Sequence, residues 1–169
     1  MRFSAIAAGL LAAWFLAAST LAADPEAYTS TVTGNVQMVG FRAMILRQAI
    51  AFNLAGHAKN LDNGTVEFVL QGDPKRIQNA LDVIAKGTSK SSDVKVKSAK
   101  TEVDPKLATF TVIAWTSTTR MITHPYDLVF QVREKDDKVS EKEATKEYHK
   151  ILLNTLQGDD LAKITDQGD

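Results

Sequence analysis

The 169-residue chain contains no cysteine. This absence excludes disulfide bonds, thiolate metal ligands, cysteine nucleophiles and a lipidated N-terminal cysteine. The chain also lacks an excess of charge of either sign, since 20 Lys and Arg residues balance 20 Asp and Glu residues. Without an overall basic field, we expect no nucleic-acid partner. The length and an apolar content of 44% fit one folded domain with an appendage.

The sequence has no apolar run of the roughly 20 residues that a membrane-spanning helix needs. Its longest run, residues 5–18, follows Arg2 and precedes the small residues 19–23. That order is typical of a secretory signal. We expect residues 1–23 to be a cleaved signal peptide, and the mature protein to be exported, periplasmic or secreted, without a stable membrane anchor. A retained anchor is the alternative.

The rest of the chain alternates between strand-like and helix-like patterns. Residues that are β-branched or alternate in polarity predict strands, and apolar residues three and four positions apart predict helices. In chain order these patterns predict a strand at 28–36, a helix at 41–54, strands at 58–61 and 65–70, a helix at 73–87, and strands at 94–97 and 109–115. The order predicts an α+β fold, a split βαβ sandwich in which two helices cover one face of an antiparallel sheet.

Local signals mark the boundaries of these elements. Asn63 and Gly64 tolerate the positive φ of a tight hairpin turn, and Asp73 before Pro74 supplies a helix N-cap. In the first helix, Arg47 and Gln48 fall outside the apolar stripe, and Gly56 is the expected stop. We assign this unit to residues 27–120.

A C-terminal extension, residues 121–169, follows this unit. Residues 126–132 alternate in polarity as a strand does, and Ser140 with Glu143 forms a capping box before an apolar helical stripe that ends near Leu156. We therefore expect an added strand and helix, with a loose tail only at the end. The whole protein is expected to be a monomer.

The stretch from Gly34 to Arg42 carries the strongest chemical signal. It lies where the first strand becomes the first helix, so backbone N–H groups and the helix dipole favour a bound anion there. Glycines let an anion approach the backbone, and the Arg42 guanidinium matches phosphate oxygens. The three histidines are not spaced as metal ligands, and we expect no metal and no cofactor.

This stretch resembles the phosphate loop of the acylphosphatase family, G-x-V-Q-G-V-x-F-R. The matching residues are Gly34, Val36, Gln37, Val39, Phe41 and Arg42. A second family motif, G-x-V-x-N before a turn, is matched by Gly56 and Asn60, and by the turn at Asn63 and Gly64. The resemblance covers residues 28–115.

The resemblance implies a ferredoxin-like fold and an enzyme that hydrolyses the carboxyl–phosphate bond of acyl phosphates. In this interpretation Arg42 and Asn60 are catalytic. Arg42 grips the phosphoryl group and Asn60 orients the attacking water. The substrate-binding loop comprises Asn35, Val36, Gln37, Met38, Val39, Gly40 and Phe41. The partner is a small-molecule acyl phosphate or a similar anion.

Met38 departs from the family pattern, because it replaces the central glycine of the loop. If this position has positive φ, methionine costs on the order of 1 kcal/mol in backbone strain. If the position needs room, the side chain crowds the phosphate. The alternative function is therefore a non-catalytic exported domain that binds an anion or a partner.

Overall fold

The computed structural model describes residues 23–165. Residues 1–22 of the predicted signal peptide and residues 166–169 of the predicted tail lie outside this range. Within it, no helix has the length and apolar character to cross a membrane.

Between residues 23 and 165 the chain forms six strands and four helices. They are β1 (Glu26–Asn35), α1 (Phe41–Phe52), β2 (Ala55–Asn60), β3 (Val66–Gly72), α2 (Pro74–Ala85), β4 (Ser92–Thr101), β5 (Thr109–Ser117), β6 (Ile122–Gln131), α3 (Glu141–Thr155) and α4 (Gly158–Thr165). The predicted order of the first seven elements is confirmed, as are the added strand and helix. The short helix α4 was not predicted.

The six strands form one sheet in the order β4-β1-β3-β2-β5-β6. The fold is the expected ferredoxin-like α+β sandwich with a C-terminal extension. The extension adds β6 as an edge strand of the sheet, next to β5. One neighbouring pair departs from the antiparallel expectation, because β2 and β5 run parallel, with Gly56 beside Phe110. The chain leaves β2 by a hairpin and crosses through α2 and β4 before β5 returns in the same direction as β2.

Helix α1 is the central element of the helical layer. It packs against α2 on one side and against α3 of the extension on the other. As a result, Gln48 is only 4% exposed, although it lies outside the apolar stripe of its helix. Its Nε2 donates to Glu141 Oε1 at 3.1 Å, which satisfies the buried amide.

Helix α1 ends at Asn53 rather than at the predicted stop, Gly56. Asn53 adopts a left-handed φ of 54°. Its Nδ2 donates to Arg133 O at 3.1 Å, and its Oδ1 accepts from Arg133 N at 2.8 Å, so the helix end is joined to the extension. Gly56 instead lies in β2 with φ 141°, where an added Cβ would meet Val69 O at 1.8 Å.

Candidate active site

A cleft of about 280 Å³ opens beside the N-terminus of α1. Four segments form its walls: the β1–α1 loop with the start of α1, the end of β2, the α2–β4 connection, and the end of β5 with the β5–β6 turn. The residues that line it are Val36, Met38, Val39, Gly40, Phe41, Arg42, Arg47, Asn60, Thr88, Ser89, Lys90, Thr116, Ser117, Thr118 and Thr119. Arg42 and Asn60, which are 18 positions apart in the sequence, therefore share one cavity.

The β1–α1 loop, residues 36–40, presents its backbone to this cleft. Met38 and Gly40 both have left-handed φ, at 59° and 70°. Gly40 is the N-cap of α1 and offers no side-chain acceptor, and the first turn contains no acidic residue. The first N–H groups of α1 are thus not capped by a side chain, and the positive end of the helix dipole faces this loop. Such an arrangement binds anions.

Two side chains brace the loop from opposite sides. Gln37 Nε2 donates to Leu61 O at 2.7 Å and to Thr65 O at 2.9 Å, which ties the loop to the β2–β3 turn. Thr88 Oγ1 donates to Val39 O at 3.3 Å from the α2–β4 connection. The backbone of the loop is therefore held in place before any ligand arrives.

Arg42 is anchored through one of its two terminal nitrogens. Nη1 donates to Ile113 O at 2.7 Å and to Ala114 O at 2.9 Å. These carbonyls sit at an irregularity of β5, where Ala114 has φ 53° and its N–H donates to Asp127 Oδ1 at 2.9 Å. Burial lowers the pKa of Arg42 from its usual value, but a guanidinium remains charged at neutral pH. Nε and Nη2 supply three N–H donors for a ligand.

Asn60 is the last residue of β2 and half-buried. Within residues 23–165 its Oδ1 is buried and has no hydrogen-bond partner. A buried acceptor without a partner is costly, so this oxygen is a place where a water or a ligand donor can bind. Here the group belongs to a residue that lines the cleft.

The charged side chains that line the cleft are all positive. Its lining contains Arg42, Arg47 and Lys90 but no carboxylate. Because the walls are partly buried, such a cluster attracts anions more strongly than exposed lysines would.

Met38 lies at the mouth of the cleft. Its side chain is 81% exposed, so it does not fill the space in front of the loop amides. The second possibility raised by the sequence, that the side chain crowds a phosphate, is not what this conformation shows. The first possibility applies, because the position has positive φ.

Of the nine residues predicted from the sequence, seven line the cleft. Gln37 braces the loop instead, and Asn35 ends β1, where it pairs with Ser92 of β4. Sequence reasoning missed Arg47, the α2–β4 connection at 88–90, and residues 116–119 at the end of β5 and the start of the β5–β6 turn. The last two are short polar runs, a weak signal that becomes informative only once the topology brings them to one edge.

The fold is a ferredoxin-like α+β sandwich, and the cleft at its strand–helix loop has a cationic lining. The family model for acylphosphatase matches residues 28–112. An acylphosphatase of Chlorobaculum tepidum is 42% identical over 82 residues, which cover 48% of this chain and 89% of that protein. One of Vibrio cholerae is 34% identical over 82 residues, covering 48% of this chain and 90% of that protein.

A crystal structure of acylphosphatase from Bacillus subtilis is 28% identical, with a TM-score of 0.49, and the match covers 53% of this chain and 99% of that one. The chain belongs to the acylphosphatase family, a family of hydrolases that act on acyl phosphates. The family match ends at residue 112, before β6 and the two C-terminal helices.

Proposed function

We propose that this protein hydrolyses small acyl phosphates to a carboxylate and phosphate, with Arg42 and the 36–41 backbone binding the phosphoryl group and Asn60 orienting the water. The observation that carries the proposal is the meeting of three features in one cleft: an uncapped helix N-terminus, a guanidinium with donors to spare, and a buried amide oxygen without a partner.

Phosphoryl transfer needs positioning and charge stabilisation more than it needs covalent chemistry. In the transition state the negative charge is spread over three equatorial oxygens. Loop amides that are already held by Gln37 and Thr88 meet these oxygens without reorganising, as do Nε and Nη2 of Arg42. Since Nη1 is occupied by two backbone carbonyls, the guanidinium plane is fixed before the substrate binds.

The attacking water needs an acceptor that fixes its orientation in line with the departing carboxylate. Asn60 lines the cleft, and its Oδ1, which has no partner among residues 23–165, is the acceptor we assign to this water. As the water oxygen bonds to phosphorus, the bond from phosphorus to the acyl oxygen breaks. The electron pair leaves on the carboxylate, and both water protons end on the phosphate. A carboxylate is a good leaving group and requires no general acid.

The second candidate function is anion binding without turnover. The strained non-glycine residue at position 38 favours it, because backbone strain at the loop is a change that the family pattern does not contain. Both functions predict that phosphate binds, so only turnover separates them.

The test is hydrolysis of benzoyl phosphate by the purified protein and three variants. Arg42→Ala is expected to lower kcat/KM about a thousandfold, and Asn60→Ala about a hundredfold or more, mainly through kcat. Lys75→Ala, which removes an exposed charge on α2, is the matched control and should change neither parameter. Hydrolysis no faster than the uncatalysed rate, with phosphate still bound, would establish the binding function instead. Full activity in Arg42→Ala would refute the assigned site.

We also propose that the protein acts outside the cytoplasm as a monomer, after removal of residues 1–23. The support is the order of charge, apolar run and small residues at the start of the sequence. Expression in a bacterium followed by N-terminal sequencing of the exported fraction tests the cleavage, and light scattering tests the mass. Protein that stays in the cytoplasm with Met1 intact would contradict export.

A further inference from the structure

Arg47 is a half-buried cation on α1 that lines the cleft but is not part of the phosphate loop. Its guanidinium carbon lies 5.5 Å from the ring centroid of Tyr148, within the distance of a cation–π contact. Tyr148 belongs to α3 of the extension and is only 6% exposed. The extension therefore provides a fixed support for this arginine.

A second cavity adjoins the cleft at Arg47. Its volume is about 420 Å³, and it lies between α1, the α2–β4 connection and the first turns of α3. Arg47, Thr88 and Ser89 line both cavities. A ligand whose phosphoryl group sits on the loop can thus extend along this path, and Arg47 stands where the two cavities join.

Arg47 and Lys90 carry positive charge at the two cavities. None of the ion pairs between residues 23 and 165 includes either of them. The first cavity contains no carboxylate, and in the second the carboxylate is Glu141, whose Oε1 accepts a hydrogen bond from Gln48. Arg42 and the loop amides suffice for one phosphoryl group, so two further cations imply further negative charge on the ligand.

We propose that Arg47, supported by Tyr148 and assisted by the exposed Lys90, binds a second anionic group on the acyl part of the substrate. The substrate class is then acyl phosphates whose acyl chain itself bears a carboxylate or phosphate. This inference rests on the proposed function, because the ligand is a substrate only if the protein hydrolyses it. The anion subsite itself can be measured by binding alone.

The first experiment compares two phosphonates that differ only at the end remote from phosphorus. Calorimetric titration with 3-phosphonopropionate and with propylphosphonate measures how much a terminal carboxylate adds to the binding affinity. In the wild type the carboxylate is expected to tighten binding about five- to tenfold, as for one partly buried charge pair, and the gain should shrink at high salt. Equal affinity of the two ligands would overturn the inference.

Three variants assign the effect to Arg47. Arg47→Gln should reduce the affinity ratio of the two ligands to about one, and Arg47→Lys should retain part of it, because the charge remains while the planar fork is lost. Lys150→Gln is the matched control: it removes the same unit charge from an exposed position of α3 and should leave the ratio unchanged. A ratio that survives in Arg47→Gln would overturn the assignment.

Turnover separates this inference from the proposed function. Succinyl phosphate and butyryl phosphate form the corresponding substrate pair, and kcat/KM should favour succinyl phosphate by a similar factor, expressed mainly in KM. If neither is hydrolysed but the phosphonate ratio depends on Arg47, the proposed function fails and the anion subsite stands. If both are hydrolysed equally well, the proposed function stands and the subsite fails.

Discussion

Met38 allows the backbone of the loop to be tested separately from its side chain. Met38→Gly removes both the side chain and the cost of positive φ, whereas Met38→Ala removes the side chain beyond Cβ and keeps that cost. At φ 59° the cost for a residue with a Cβ is about 1–2 kcal/mol. Glycine in turn makes the unfolded chain more flexible, which costs about 0.4–1 kcal/mol.

The net change follows from these two terms. We expect Met38→Gly to raise the free energy of unfolding by between about zero and 1.5 kcal/mol. Because the side chain is 81% exposed, Met38→Ala should stay within about 0.5 kcal/mol of the wild type. Unfolding in guanidinium chloride, with the slope m held common, measures both values.

Activity gives the second readout. Position 38 already has the dihedral angle that glycine would supply, so the loop amides need no rearrangement, and kcat/KM for benzoyl phosphate should change less than about threefold in both variants. A tenfold gain in kcat/KM in Met38→Gly, without a gain in Met38→Ala, would show that methionine distorts the loop. That result would support the non-catalytic alternative for the wild-type protein. A stability loss above about 1 kcal/mol in Met38→Gly relative to Met38→Ala would refute the strain argument itself.

Three further substitutions test the elements around the cleft. Gln37→Leu removes two hydrogen bonds from the loop brace and should cost about 1–2 kcal/mol in thermal unfolding and lower kcat, whereas an unchanged kcat would deny the brace a role. Gly56→Ala should cost at least about 3 kcal/mol in urea unfolding, because its Cβ would overlap the β3 backbone, and a fully stable variant would contradict that contact. Burial raises the pKa of Tyr148, so the unfolded state loses this proton first, and the free energy of unfolding should fall as pH rises above about 10. Tyr148→Phe should remove that part of the fall, and identical slopes against pH in both proteins would contradict it.

The order of elements was predictable because local signals and apolar periodicity agreed. Asp73 caps α2 as expected, with Oδ1 accepting from Arg76 N at 3.0 Å. Ser140 caps α3 in the same way, accepting from Glu143 N at 3.2 Å. Such caps act within one turn of chain, so a sequence reveals them directly.

The errors concern features that distant segments impose. Glycine commonly ends helices, which favours Gly56 as a helix stop, but close approach of the β3 backbone is what requires glycine there. Gln48 lies outside the apolar stripe of its own helix, and its burial comes from α3, which packs against α1. The parallel pairing of β2 and β5 likewise depends on a crossover that no short stretch of sequence encodes.

The residues of the candidate site likewise fall into two groups, those that a local sequence motif reveals and those that only the fold reveals. The loop residues and Asn60 were found because they lie in two short motifs at a fixed separation. The sequence shows Arg47 only as a polar position on a helix. Its place in the cleft depends on the fold, which brings the α2–β4 connection to the same cavity and Tyr148 against its guanidinium. Short motifs identify the loop and Asn60, whereas the other residues that line the cleft emerge only from the fold.

The C-terminal extension contacts the elements that carry the candidate site at several points. At the end of α1, Asn53 is joined to Arg133, and in its middle Arg47 rests on Tyr148. At its start, Arg42 is fixed by a β5 irregularity whose N–H is held by Asp127 of β6. Three successive positions along α1 are thus set by the extension, directly or through β5. Deletion of the extension would disturb the candidate site together with the core, so its contribution is better measured by point substitutions at these contacts.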